Sequence, residues 1–207
     1  MKPLKILGNE RGGVSIMIFS ILALLFSVIV MVYCLDYILL YSTQNKLKND
    51  LNAAVHAGSL SINEVELAEG NFKLDTTTPG ISAQDMFYKY LRLNMGLDLN
   101  NIAVTGSKLK QGTPVHVDEL IYIDNETGTL LNLGTKPTTC SYSLVASRTT
   151  CAVTLNSGSS TEITRFIDET IVGPSIVAVV DTIHEGIGSL SDEPLLLPAV
   201  QEVYFTK

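Results

Sequence analysis

The sequence predicts an α+β protein: a long N-terminal helix, apolar in its first half, then a second helix and an antiparallel β-sheet. Three observations lead there. Residues 14–35 run for 22 positions without a charge. Residues 37–60 contain no Pro and a single Gly, Gly58, and carry apolar residues at helical spacing. After Asn100 that spacing gives way to short β-rich runs separated by Gly, Pro, Asn and Thr.

The uncharged run comes first. At 1.5 Å per residue it makes about 33 Å of helix, enough to cross a hydrocarbon core of about 30 Å. It is longer than the apolar region of a secretory signal and ends in "YCLDYILLYSTQ", without the small-x-small pattern of a cleavage site. The expectation is an uncleaved transmembrane helix. Lys2, Lys5 and Arg11 precede it against a single Glu10, which places the N-terminus in the cytoplasm and the long C-terminal part outside. The divisions follow: 1–13 cytoplasmic, 14–35 transmembrane, 36–60 a helical stem, 61–207 an extracytoplasmic domain. Setting aside those three bases and one acid, the remainder holds 11 Lys+Arg against 20 Asp+Glu. That balance excludes nucleic acid as a partner, because phosphate needs a basic surface. It also excludes docking of the domain on anionic lipid, leaving lipid contact to the apolar helix.

The stem continues the helix to about Leu60. Leu40, Gln44, Leu47, Leu51, Ala54 and Gly58 recur at spacings of three and four and form a stripe. Leu47, Leu51, Ala54 and Gly58 are its helix-packing candidates, with small residues permitting close approach. Two destinations stay open for the stripe: helices of other proteins, or the chain's own domain. Tyr33, Tyr37 and Tyr41 share one face near the outer membrane boundary, where amphipathic rings are favoured, and Asp36 marks the same edge.

Beyond the stem, Glu64, Glu66 and Glu69 read as a solvated face and "TTTPG" (Thr76–Gly80) as a turn. "SAQDMFYKYLRLNMG" reads as the second helix, with Ser82 as N-cap, Asp85 three residues on, and Gly96 as its stop. Met86, Phe87, Tyr90, Leu91 and Leu93 are its core candidates. The β-rich runs are "NIAVTG", "VHVDELIYID", "GTLLNLG", "SYSLVA", "CAVTLN", "SIVAVVDTI" and "AVQEVYF". Asp124 to Gly128 form the loop of a hairpin. Cys34 sits in the apolar helix as a small apolar residue. Cys140 and Cys151, both outside, favour a disulfide worth on the order of 3 kcal/mol. His56, His116 and His184 are scattered, and the acids Asp118, Glu119, Asp124 and Glu126 lack calcium-loop spacing. No metal, cofactor, small-molecule substrate or catalytic residue is expected, and no enzyme motif is found.

The stretch from Arg11 to Leu60, "RGGVSIMIFSILALLFSVIVMVYCLDYILLYSTQNKLKNDLNAAVHAGSL", resembles the N-terminal signature of the TadE/TadG-like proteins, pilin-like components of tight-adherence pilus systems of bacteria. The matching features are Arg11-Gly12, the acidic-aromatic pair Asp36-Tyr37, and the Leu and Ala positions Leu47, Leu51, Ala53, Ala54 and Ala57. The resemblance implies a pilin-like fold in the bacterial cytoplasmic membrane. It also implies other pilin-like subunits and inner-membrane pilus assembly proteins as partners, and incorporation in a surface pilus as one fate. Prepilin peptidases cut after Gly with Glu as the fifth residue beyond. Gly13 is the candidate processing position, but its fifth residue is Ile18, so an uncleaved minor component or assembly factor is expected. The alternative is an extracellular ligand-binding or sensing domain on a passive anchor.

Overall fold

The computed structural model describes residues 10–155, 163–187 and 192–203. Lys2, Lys5 and Gly8, and the end of the last β-rich run at Tyr204 and Phe205, lie outside the described residues. The chain divides into two compact units, Met1–Tyr41 and Ser42–Lys207. Helix α1, Glu10–Ser59, runs through the division without a break.

In the first unit, the helix is exposed along its apolar length; Phe19, Phe26, Ile29 and Met31 are all more than half exposed. It is long and apolar enough to cross a membrane.

The second unit opens with the stem, residues 42–59 of α1. Here the stripe turns inward: Leu47, Leu51, Ala54 and Val55 are fully buried. A five-residue helix α2, Glu64–Ala68, follows where a solvated acidic patch was expected. The signal was its cap: the Asn63 side chain accepts from the amides of Val65 and Glu66. Helix α3, Ala83–Met95, has the predicted ends. Ser82 accepts from the Asp85 amide and donates to the Asp85 carboxylate, while Gly96 stops the helix in the left-handed region at φ 68°. Its buried face is Ala83, Phe87, Leu91 and Met95, a strict spacing of four. Leu93 falls off that face and is exposed, correcting its place among the core candidates.

Among the described residues seven strands follow: β1 His116–Asp124, β2 Thr129–Asn132, β3 Cys140–Ser143, β4 Arg148–Leu155, β5 Ile163–Thr170, β6 Ser175–His184 and β7 Glu193–Glu202. They are antiparallel, as expected, but form two sheets, ordered β2-β1-β6-β7 and β3-β4-β5. The β1–β2 hairpin has the expected loop, closed by the Gly128 amide on the Asp124 carbonyl. "NIAVTG" forms only isolated bridges, Leu97 with Ala103 and Ile102 with Pro114. Strand β5 was not expected, since "ITRFIDET" alternates apolar and polar residues weakly. Strand β7 begins earlier than "AVQEVYF", at Glu193, because an edge strand tolerates Pro194 and Pro198.

The larger sheet is covered on both faces. On one, Ile121, Ile123, Val177, Val179 and Leu196 pack with Cys151, Val153 and Ile167 of the smaller sheet and with Ile171 just beyond it. On the other, Leu120, Tyr122, Ile176, Ala178 and Val180 are buried beneath the helices. That double burial explains why β6 reads as a continuous apolar run. The whole is a pilin-like layout: one long N-terminal helix whose folded-domain portion carries antiparallel sheet.

Candidate functional site

Helix geometry decides what each candidate residue can do. Tyr33, Tyr37 and Tyr41 are four apart, so they share one face, and all three are exposed. Asp36 lies on the same turn, half-buried. Gly13 lies within α1. The first unit thus presents an apolar cylinder with an aromatic band toward its C-terminal end.

The stem candidates have a different fate. Leu47, Leu51 and Ala54 are fully buried inside the chain's own second unit, so they are not free to meet a partner helix. Gly58 shows why the stripe needs small residues. A Cβ there would stand 2.9 Å from the Ala83 carbonyl oxygen, 3.2 Å from Ile176 Cδ1 and 3.4 Å from Phe87 Cβ. At Gly58, then, the α1 backbone meets the α3 backbone at Ala83 and the Ile176 side chain of β6. Of the two destinations open to the stripe, these four residues take the chain's own domain. What the stem shows to solvent is Asn45, Lys46, Lys48, Asn49, Asn52, Ala53 and His56, a polar surface. Asp50, on the flank, pairs with Lys108 from the segment after α3.

Cys140 and Cys151 are joined in a disulfide. They face each other directly in the β3–β4 register, so the bond fastens a hairpin of the smaller sheet. The bond fits an extracytoplasmic location for this unit.

One cluster escaped sequence reasoning. The β1–β6 register shifts between Val117 and Glu119, a bulge at Asp118. Asp118 and Asp181 share a hydrogen bond between their carboxyls. Burial first, then the Asp118 charge, pushes Asp181 up to about 7. Lys136 pairs with Asp118, and that bond holds the ammonium above its usual range. Glu119 is buried; its Oε1 accepts from the Thr139 amide and hydroxyl, both at 2.7 Å, while Oε2 has no partner among the described residues. Lys136 and Thr139 lie on the segment joining β2 to β3, so the cluster ties the connection between the sheets to β1 and β6. Its only sequence signal was "VDEL", an acid pair amid a strand. Asp124 is accounted for locally: it accepts from the Glu126 and Thr127 amides within the hairpin loop.

An open cleft of about 1100 Å³ runs beside α3. The Arg92 guanidinium lies 5.3 Å from the centre of the Tyr88 ring, and its Nε donates to Asn101 Oδ1 at 2.8 Å. Asn101 takes a left-handed backbone, φ 61°, which Asn tolerates better than most residues. Exposed Leu93 and Leu99 border the cleft. Among the described residues no group of three or more His, Cys, Asp or Glu is placed to hold a metal ion. No protein-family model, curated protein or solved structure matches the chain.

Proposed function

We propose that the chain is a single-pass, pilin-like component of a tight-adherence pilus assembly system, retained in the bacterial cytoplasmic membrane with its N-terminus inside. One observation carries this reading. The exposed apolar helix and the buried stem are a single unbroken α1, so the membrane segment is continuous with the core of the folded unit. An anchor that only tethered a domain would need no such continuity. The N-terminal resemblance supplies the choice of machine, and the disulfide supports an outside domain.

With the stripe used up inside the chain, lateral contacts with other pilin-like subunits and assembly proteins fall to the apolar surface of residues 15–41. The domain's outer surface supplies the contacts beyond the membrane. The test is to replace residues 15–41 with an unrelated membrane helix of equal length. Pilus production should stop while the disulfide-bonded domain stays folded; unimpaired production would sink the proposal. Intact mass from native membranes resolves processing: the full chain fits an assembly factor, and loss through Gly13 fits a subunit that enters the fibre.

A second reading, a ligand-binding domain on a passive anchor, draws on the cleft beside α3, where a held guanidinium and exposed Leu side chains converge. It predicts that the same helix replacement leaves activity intact.

A further inference from the structure

Two sheets have four edges, and three of them are guarded. Strands β2 and β3 are only four residues long, and short edges give an incoming strand little to pair with. Strand β7 carries Pro194 and Pro198, each lacking a backbone donor. Strand β5 is different. It is eight residues long, contains no Pro and pairs with β4 along its whole length, and among the described residues no strand is hydrogen-bonded to its other side. Along that free side every second residue turns its amide and carbonyl away from β4. The edge opens on a groove of about 660 Å³ whose far side is β7 with Lys48 and Asn52 of the stem. On its outer face Phe166 is 78% exposed.

The side chains of β5 say what should lie against it. Ile167 points into the core between the sheets. Arg165 and Glu169 stand two residues to either side, on the same face, both exposed. Neither has an ion pair among the described residues, whereas Asp168 on the opposite face is held by Arg148. Charges on an edge ordinarily repel arbitrary strands. Here they have opposite signs and are symmetric about Ile167, so one arrangement satisfies both. A second β5, antiparallel and centred on Ile167, sets each Arg165 opposite Glu169 of the second copy. The same register sets Phe166 opposite Asp168 and Thr164 opposite Thr170. A parallel strand would instead bring Arg165 beside Arg165.

We propose that two copies of this chain associate through their β5 edges in that antiparallel register, joining the smaller sheets into one continuous six-stranded sheet about a two-fold axis. The contact is self-complementary, as a two-fold interface must be, and each charge pair occurs twice. It goes beyond the assignment to a pilus machine and stands or falls separately from it.

The experiment is sedimentation equilibrium of the full-length chain in density-matched detergent, with three variants. Arg165→Glu sets acid against acid across the axis in both pairs, and Glu169→Arg sets base against base in both. Each should weaken dimerisation roughly tenfold or more, because two attractions become two repulsions. The double reversal should restore it. Both positions are exposed, and an unchanged unfolding temperature with an intact Cys140–Cys151 bond verifies folding. A parent that stays monomeric at tens of micromolar overturns the proposal. So does a dimer indifferent to the single reversals, which would place the contact elsewhere, such as along the apolar helix. Failure of the double reversal to rescue overturns the register.

Discussion

Two residues illustrate how strongly this fold depends on single side chains. Gly58 sits in helix, where Gly costs about 1 kcal/mol against Ala, so Gly58→Ala would stabilise an exposed helix. The contact at 2.9 Å reverses the sign, since the obstructing atom is the Ala83 carbonyl oxygen of the backbone, not a movable side-chain tip. Overpacking of this kind costs about 1–3 kcal/mol. Gly58→Ala should therefore lower stability by about 1–2 kcal/mol, and Gly58→Leu should prevent folding; urea denaturation checks both. Asp181 gives a pH signature. Its carboxyl is raised from an ordinary 3.8 to about 7, so the folded state favours the protonated form. The associated stability is fully present below about pH 4 and is lost as pH rises through about 7. Asp181→Asn keeps a hydrogen-bond donor for Asp118 and removes the titration. Between pH 5 and 8 the parent should lose about 1–2 kcal/mol relative to this variant, after discounting for a partly open site. Unfolding temperatures at the two pH values would show it; parallel pH profiles would mean the carboxyl pair does not control stability.

At the level of elements, local chemistry was legible and non-local pairing was not. The ends of α3 could be read from Ser82, Asp85 and Gly96 because caps are satisfied within a few residues. The β1–β2 hairpin was readable for the same reason. The division into two sheets was invisible, because nothing in "CSYS" or "RTTCAVTL" says that these strands avoid β1. Strand β5 was missed because its charges interrupt the apolar period, and the start of β7 because its two Pro residues look like breaks. The Cys140–Cys151 pair was readable from composition and compartment, and its place in the register gives it a consequence. The bond closes a hairpin in the smaller, three-stranded sheet, while the larger sheet is clamped between that sheet and the helices. Reduction, or Cys140→Ala with Cys151→Ala, should cost on the order of 3 kcal/mol. Hydrogen exchange should then show β3, β4 and β5 losing protection before β6 does. Uniform loss across both sheets would show that they unfold as one unit.

For the whole molecule, the decisive fact is where the folded unit begins. The sequence leaves two destinations open for the stem, because a stripe on a helix does not say which surface covers it. The structure covers the stripe with the chain's own α3 and sheet, so one face of residues 42–59 is core rather than spacer. Two truncations follow. A chain starting at Ser42 sheds the exposed apolar helix but keeps Leu47, Leu51, Ala54, Val55 and Gly58, together with the Asp50–Lys108 pair. It should be soluble, monodisperse and cooperatively folded, with the disulfide formed. A chain starting at Ser61 lacks all of these. Burying one Leu contributes about 1.5–3 kcal/mol, so losing two Leu, a Val and an Ala removes several kcal/mol. It also opens Phe87, Leu91 and the helix-facing side of β6 to water. Against a total stability of about 5–15 kcal/mol for a typical domain, that loss is enough to unfold it. Circular dichroism melts of the two fragments decide the matter. A cooperative transition in the Ser61 chain would show that the stem is dispensable, and the continuity of α1 would then lose its force as evidence for a pilin-like role.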